Sequence, residues 1–202
     1  MRLADVDLDL LPGKLPEEVK HFLREADERI SNFQHDSHVP AFVPSDYVGG
    51  YRVLAALAES TLLRGMQFCE WGSGMGVVTC LASMLGFDAC GIEISPELVD
   101  AARNFADDAD LPVEFICGSF VPPGAEKRIH EAGDYAWFTT ESDYAYQDLG
   151  LDISDMDLIF AYPWPDEEVI LQDIFRKYGG HGAILATYQG VGEFKLRRKL
   201  KK

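Results

Sequence analysis

Met66-Gln67-Phe68-Cys69-Glu70-Trp71, followed by Gly72-Ser73-Gly74-Met75-Gly76, is the stretch that decides how this chain of 202 residues folds. Its first six residues are a mostly apolar run, too brief for a helix and closed by glycines, which predicts a buried strand. Residues 77–85 then carry a helical pattern that stops at Gly86, a residue suited to the left-handed C-terminal position. A strand that turns through glycines straight into a helix opens a parallel α/β unit. Such a turn lies at the carboxyl edge of the sheet, where ligands of these folds bind. Glycines there permit positive φ and let the backbone touch a ligand without a Cβ in the way. The helix beginning near Gly76 aims free amides and its positive dipole end at the same spot, which suits a carboxylate and a phosphate equally.

Outward from this turn the pattern repeats. Residues 87–94 predict a second strand. Ser95-Pro96-Glu97 is a helix start with a capping side chain, a proline and an acid, and that helix runs to about residue 108. Residues 113–117 predict a third strand, 157–162 a fourth and 183–187 a fifth, with a helix over 166–178 that ends at Gly179-Gly180. Residues 121–152 read as an insertion whose helix or strand character is undecided. They hold Pro122, Pro123 and Gly124 and then the aromatic-rich DYAWFTTESDYAYQDLG. Toward the N-terminus, Ser45 is placed to cap a helix carrying Tyr47, Val48, Tyr51, Leu54 and Leu57. From Pro16, the spacing of Val19, Phe22, Leu23, Ala26, Ile30 and Phe33 predicts another amphipathic helix, and residues 1–15 read as extended and weakly ordered. The expected architecture is a doubly wound, mostly parallel α/β sheet with right-handed crossovers, preceded by N-terminal helices. One domain accounts for the chain, with 1–44 as an N-terminal helix and lid-like loop and 45–202 as the α/β unit.

Glu93 ends the second strand, 17 residues past Gly76. An acid there reaches a ribose, because adjacent hydroxyls can donate to one carboxylate. Both dinucleotides and S-adenosylmethionine meet that demand, and glycine spacing separates them. A dinucleotide fingerprint needs a third glycine where Val77 stands; the string here is ExGxGxG, with Glu70 two residues before the first glycine. Glu70 to Gly76, the Gly91-Ile92-Glu93 strand end and the 157–164 strand together resemble the class I S-adenosylmethionine-dependent methyltransferases, over roughly residues 45–190. The resemblance implies S-adenosyl-L-methionine as cofactor, laid across the strand ends. Its methionine part would lie against Gly72, Ser73 and Gly74, with Glu70 near the ammonium, Glu93 on the ribose and Ile94 beside the adenine. It also implies methyl transfer to a small-molecule or protein acceptor.

The pattern departs from the family in three places. After the third strand, where the family often places an Asp that reads the adenine amino group, Ser119 and Phe120 stand; Phe120 either covers the ring or packs into the core. The fourth strand ends Ala161-Tyr162-Pro163-Trp164-Pro165, without the Asn, Asp or Ser that amino-group methyltransferases set before Pro-Pro-aromatic. Trp164 is available to stack a planar acceptor, to hold a cation, or simply to wedge under the loop. Tyr162, Asp166 and Glu167 are the titratable candidates at this edge, the two acids equally suited to starting the next helix. Third, the family closes its sheet with an antiparallel hairpin after the fifth strand, and here only 188–202 remains, so that hairpin is expected to be lacking or shortened. The expectation is five or six strands, with the open edge covered by the 121–152 insertion or by a second subunit in a homodimer. Phe42 and Tyr47 are the lid candidates.

Composition narrows the partners. Thirty-four acids against 18 bases give a net charge of −16, which repels phosphate backbones and argues against nucleic acid. The basic run KLRRKLKK at 195–202 reads as a helical end or frayed tail, or alternatively as a docking patch. No stretch is apolar enough to span a membrane and no secretory leader is visible, so the expected setting is cytoplasmic. Cys69, Cys80, Cys90 and Cys117 form no CxxC pair and read as buried, reduced apolar residues. His35 and His38 stand three apart without a third ligand, and no metal site is expected.

Overall fold

A computed structural model of the chain describes residues 1–10, 13–36, 39, 42–125, 143–164 and 167–201. Among these, seven strands form one sheet: β1 (Arg2–Asp5), β2 (Gln67–Trp71), β3 (Asp88–Glu93), β4 (Glu114–Cys117), β5 (Leu158–Ala161), β6 (Ile184–Tyr188) and β7 (Phe194–Leu200). Their order is β1-β7-β6-β5-β2-β3-β4. β2 to β6 are parallel, β7 runs antiparallel to β6, and β1 antiparallel to β7. The chain winds outward from β2 through β3 to β4, then returns to pair β5 on the other side of β2. The carboxyl ends of β2 and β5 therefore flank the point where the winding reverses, where open α/β sheets hold their ligands.

Strand alternation separates two cores. On one face Phe68, Ala89, Phe115, Leu158, Phe160, Ile184 and Ala186 pack with α1 (Glu17–Asp36), α2 (Tyr47–Glu59), α3 (Val77–Met84) and α4 (Pro96–Asp108). On the other, Cys69, Cys90, Ile92, Ile159 and Leu185 meet the short α5 (Tyr146–Leu149), a 3-10 turn (Ile153–Asp155) and α6 (Glu168–Tyr178). Successive strand residues point to opposite faces, so both faces must be apolar in a covered parallel sheet. Ser95 caps α4 as expected, its hydroxyl accepting from the Leu98 amide. The cap of α2 is Asp46 rather than Ser45: the Asp46 carboxylate accepts from the Gly49 amide at 2.9 Å, and Ser45 precedes the helix by one residue too many.

Sequence reading and structure differ most at the two ends of the chain. Residues 195–200 are neither a helical end nor a tail; they belong to β7. The hairpin is shortened to this one strand, and the edge beyond it is covered by β1, from the stretch read as weakly ordered. Among the described residues the sheet thus has seven strands instead of five or six. The basic side chains are absorbed locally. Arg197 lies 3.5 Å from Asp5, Arg198 donates to the Leu62 carbonyl, and buried Lys199 donates to the Gly179 and Lys177 carbonyls at the end of α6. Cations at a helix C-terminus complement its dipole. Of the thiols, Cys69, Cys80 and Cys90 are buried and free, whereas Cys117, at the end of β4, is exposed. No described helix is long and apolar enough to cross a membrane. Residues 126–142 of the proposed insertion lie outside the described residues; Tyr144 beside them bridges to Ser119 in parallel sense, next to β4.

Candidate functional site

A cavity of about 700 Å³ opens over the carboxyl ends of β2, β3 and β5, within the range of small-molecule sites. The glycine turn forms its floor. Gly72, Gly74 and Gly76 have φ of 72°, 53° and 73°, values that side chains with a Cβ rarely adopt. A Cβ on Gly74 would also collide with the Phe42 ring, and one on Gly76 with Phe115.

The amides of this turn are not bare. Gly72 and Ser73 both donate to the Ile92 carbonyl, at 2.9 and 3.0 Å, and Gly76 donates to the Ser73 carbonyl at 2.8 Å. Gly74 donates to Glu93 Oε2 at 2.9 Å. The end of β3 takes what an anion would have used. The helix end is occupied too: Glu70 Oε2 accepts from the Thr79 amide at 2.9 Å and from Thr79 Oγ1 at 2.6 Å. Thr79 is the third residue of α3, whose cap position, Gly76, has no side chain to offer. Glu70 therefore caps the helix from the preceding strand and puts a carboxylate where a phosphate would otherwise bind.

Electrostatics at this end call for a cation. Burial pushes the Glu70 carboxyl up to about 8, against the lowering effect of the two Thr79 hydrogen bonds, and the nearby Glu93 charge adds to the rise. Burial, then the Glu70 charge, also raises the Tyr47 phenol above its usual range. Glu93 is pinned by three amides: Oε1 accepts from Ile94 at 2.8 Å and Ser95 at 3.0 Å, and Oε2 from Gly74. About one of its four lone-pair positions stays open, on Oε2. Ser73 Oγ is buried on the cavity wall and, among the described residues, has no hydrogen-bond partner.

The cavity brings together Glu70, Gly72, Ser73, Gly74, Glu93, Ile94, Phe120, Ala161, Tyr162, Trp164, Tyr47 and Phe42, all singled out from the sequence. Gly76 and Ser119 are not in its lining. Gly76 serves the turn beneath it. The Ser119 hydroxyl accepts from the Val121 amide at 3.1 Å, and Gly118 lines the wall in its place. Phe120 lines the cavity and stacks on Trp71, centroids 4.7 Å apart at 5°. Asp166 and His38 lie outside the described residues. His35 meets its neighbour Asp36 at 2.8 Å, and among the described residues no trio of His, Cys, Asp or Glu is grouped to hold a metal. Thr79, Glu168 and Gln189 were missed. Thr79 had a signal, since a threonine three residues past a glycine cap invites a distant carboxylate; Gln189 sits in the hairpin loop, which only the fold brings to this edge.

No protein-family model matches the sequence, and no curated protein does. Solved structures do. A methyltransferase from Geobacter sulfurreducens superposes with a TM-score of 0.53 at 15% identity, covering 94% of this chain and 93% of that one. An O-methyltransferase from Bacillus cereus, solved with S-adenosylhomocysteine, gives 0.53 at 16% identity, covering 86% of this chain and 66% of its own. An RNA methyltransferase from Salinibacter ruber, in complex with S-adenosyl-L-homocysteine, gives 0.50 at 21% identity, covering 78% and 92%. At such identities the likeness concerns architecture, and on that ground the chain has the Rossmann-like fold of the class I S-adenosylmethionine-dependent methyltransferases.

Proposed function

We propose that the chain binds S-adenosylmethionine across the ends of β2 and β3 and transfers its methyl group to a small-molecule or protein acceptor. The observation that carries this reading is the pair of buried carboxylates on neighbouring strand ends, Glu70 seated on the first turn of α3 and Glu93 tied to the Gly74 amide, both lining one cavity. The donor set fits the group. An ammonium beside Glu70 relieves the cost of burying that charge and its repulsion with Glu93. The open position on Glu93 Oε2 takes a ribose hydroxyl, Ser73 Oγ meets a polar group it otherwise lacks, and Ile94 and Phe120 offer apolar surface to a purine. A pyrophosphate finds no such welcome, because the turn amides and the end of α3 are already committed; this weighs against a nicotinamide-dependent oxidoreductase.

The bound cofactor supplies a methyl group already activated on a sulfonium, so orientation and exclusion of water carry most of the rate. In this chain Phe42 and Tyr47 wall one side of the cavity, and Tyr162 and Trp164 the space for the acceptor. Calorimetry with S-adenosylhomocysteine tests the reading. A saturable heat is expected in the wild type and none with Gly74→Val, which combines a strained φ with a collision against Phe42. No heat up to millimolar ligand in a folded wild type ends the proposal. A second reading, a cofactor-binding scaffold without transfer, is favoured by Ala161, which has no side-chain acceptor to orient an amine. Radiolabelled methyl transfer into lysate fractions separates the two, and a labelled acceptor removes the scaffold.

A further inference from the structure

The outer part of the cavity has its own chemistry. Four carboxylates line the whole, Glu70, Glu93, Glu167 and Glu168, and among the described residues no lysine, arginine or histidine does. Glu168 is compensated from behind, by Lys195 Nζ at 3.5 Å, Arg197 Nη2 at 3.8 Å and a hydrogen bond from Gln172. Glu167 is not. It is 4% exposed, and among the described residues no cation pairs with it and its side chain accepts a single hydrogen bond, from the Trp164 amide to Oε2 at 3.0 Å. Burial raises its carboxyl above the usual range, opposed by that amide. A buried carboxylate is costly unless a cation or a proton joins it. Beside it in the lining stand Tyr162 and Trp164, 36% and 39% exposed, whose ring faces attract cations.

We propose that the acceptor is a cationic amine, held with its nitrogen at Glu167 Oε1 and its neighbouring carbons against Tyr162 and Trp164. The proposal rests on the methyl-transfer reading above and names the acceptor class for that same site. An anionic acceptor would meet the unpaired Glu167 carboxylate with no described cation in the lining to offset it, and a neutral one leaves Glu167 without a counter-charge. Glu167 also answers the gap at Ala161. An ammonium has no lone pair to offer, so one N–H bond must break with its electron pair left on nitrogen. The proton passes to the Glu167 carboxylate and from there to solvent at the cavity mouth.

The test uses the full chain saturated with S-adenosylhomocysteine and three probes of one shape: 2-phenylethylamine, 2-phenylethanol and phenylacetate, each titrated by calorimetry. The amine is expected to bind about tenfold more tightly than the alcohol, and the acid not at all. In Glu167→Gln that preference collapses while affinity for S-adenosylhomocysteine stays within about twofold; Glu167→Asp, which keeps the charge, retains part of the preference. Equal binding of the three probes, no binding of the amine, or tighter binding of the acid overturns the proposal. So does a large loss of S-adenosylhomocysteine affinity in a folded Glu167→Gln, which would make Glu167 a cofactor ligand. If the wild type fails to bind S-adenosylhomocysteine at all, the methyl-transfer reading fails first and takes this inference with it.

Discussion

The two edges of the sheet treat charge in opposite ways. At the amino edge, Arg64 pairs with Asp157 through Nε to Oδ1 at 2.7 Å and also donates to the carbonyls of His181, Ser154 and Met156. Asp157 in turn accepts from the Gln67 amide at 3.0 Å. Gly65 and Gly180 leave no room for a Cβ, because Asp157 and Arg64 fill the space. Every strong donor and acceptor in that knot has a partner, and it ties the start of β2 to the entries of β5 and β6. At the carboxyl edge burial raises the Glu70 carboxyl so that it holds its proton near neutral pH, and among the described residues Ser73 Oγ has no hydrogen-bond partner and Glu167 has only the Trp164 amide. Satisfied polar networks make rigidity, and unsatisfied ones mark where a ligand completes the set.

If the edges are separate in this sense, substitutions at each should move different observables. The largest effect belongs to Gly74→Val, which should remove S-adenosylhomocysteine binding altogether, yet cost only about 1–3 kcal/mol of stability by urea melting, the price of a strained backbone position. Next is Arg64→Ala, expected to lose about 2–3 kcal/mol. That figure is discounted from the ~3–5 of a fully buried broken pair because the Arg64 side chain is 35% exposed. Ligand affinity of the folded protein should be unchanged, and a loss of affinity greater than about fivefold would break the separation.

Glu70→Gln sharpens the comparison through pH. With the folded carboxyl near 8 and an ordinary value of 4.5, the native state holds the proton more tightly than the unfolded chain between those limits. The contribution of Glu70 to stability is therefore full below about pH 4.5 and is lost as pH rises toward 8. Relative to Glu70→Gln, the wild type should lose stability across that window, as urea melts at pH 5, 7 and 9 would read. A cationic ligand beside Glu70 favours the carboxylate, so binding near pH 7 should release a proton, seen by calorimetry in buffers of different ionisation enthalpy and absent in the variant. A pH-independent difference, or no proton release, would mean that Glu70 is not the group facing the ligand. The smallest effect is Cys117→Ser, within about 0.5 kcal/mol, because that thiol is exposed at the end of β4 and, among the described residues, makes only a long 3.7 Å contact with the Ile94 carbonyl, which a serine hydroxyl can replace.

Much of this contrast can be traced to local sequence. ExGxGxG after a short apolar run announced the turn, and Glu93 proved to be tied to it through the Gly74 amide. The helices α2, α3, α4 and α6 stand where apolar periodicity puts them, and Ser95 caps α4 as its sequence says, since those signals act within a turn or two of the chain. The amides of the turn were misread as free. Nothing local says that Ile92 and Glu93, some twenty residues on, will claim them.

Strand chemistry without local punctuation was harder. The run 195–200 is apolar only at Leu196 and Leu200, with Arg198 at the same-face position between them, and five bases stand across Lys195 to Lys201, so charge dominates its reading. Only the neighbours make it a strand: β6 on one side, β1 on the other, with Asp5 and Glu168 to neutralise the bases. The seven-stranded sheet follows from a pairing between the first and last strands of the chain, a distance over which sequence patterns carry no information. The sequence by itself determined the parallel α/β core and the glycine turn, because backbone geometry and apolar period are properties of a few consecutive residues. Tertiary structure decided which amides remained free, which carboxyls were buried without a described counter-ion, and what covered the sheet edge, because each depends on groups that meet only when distant segments pack.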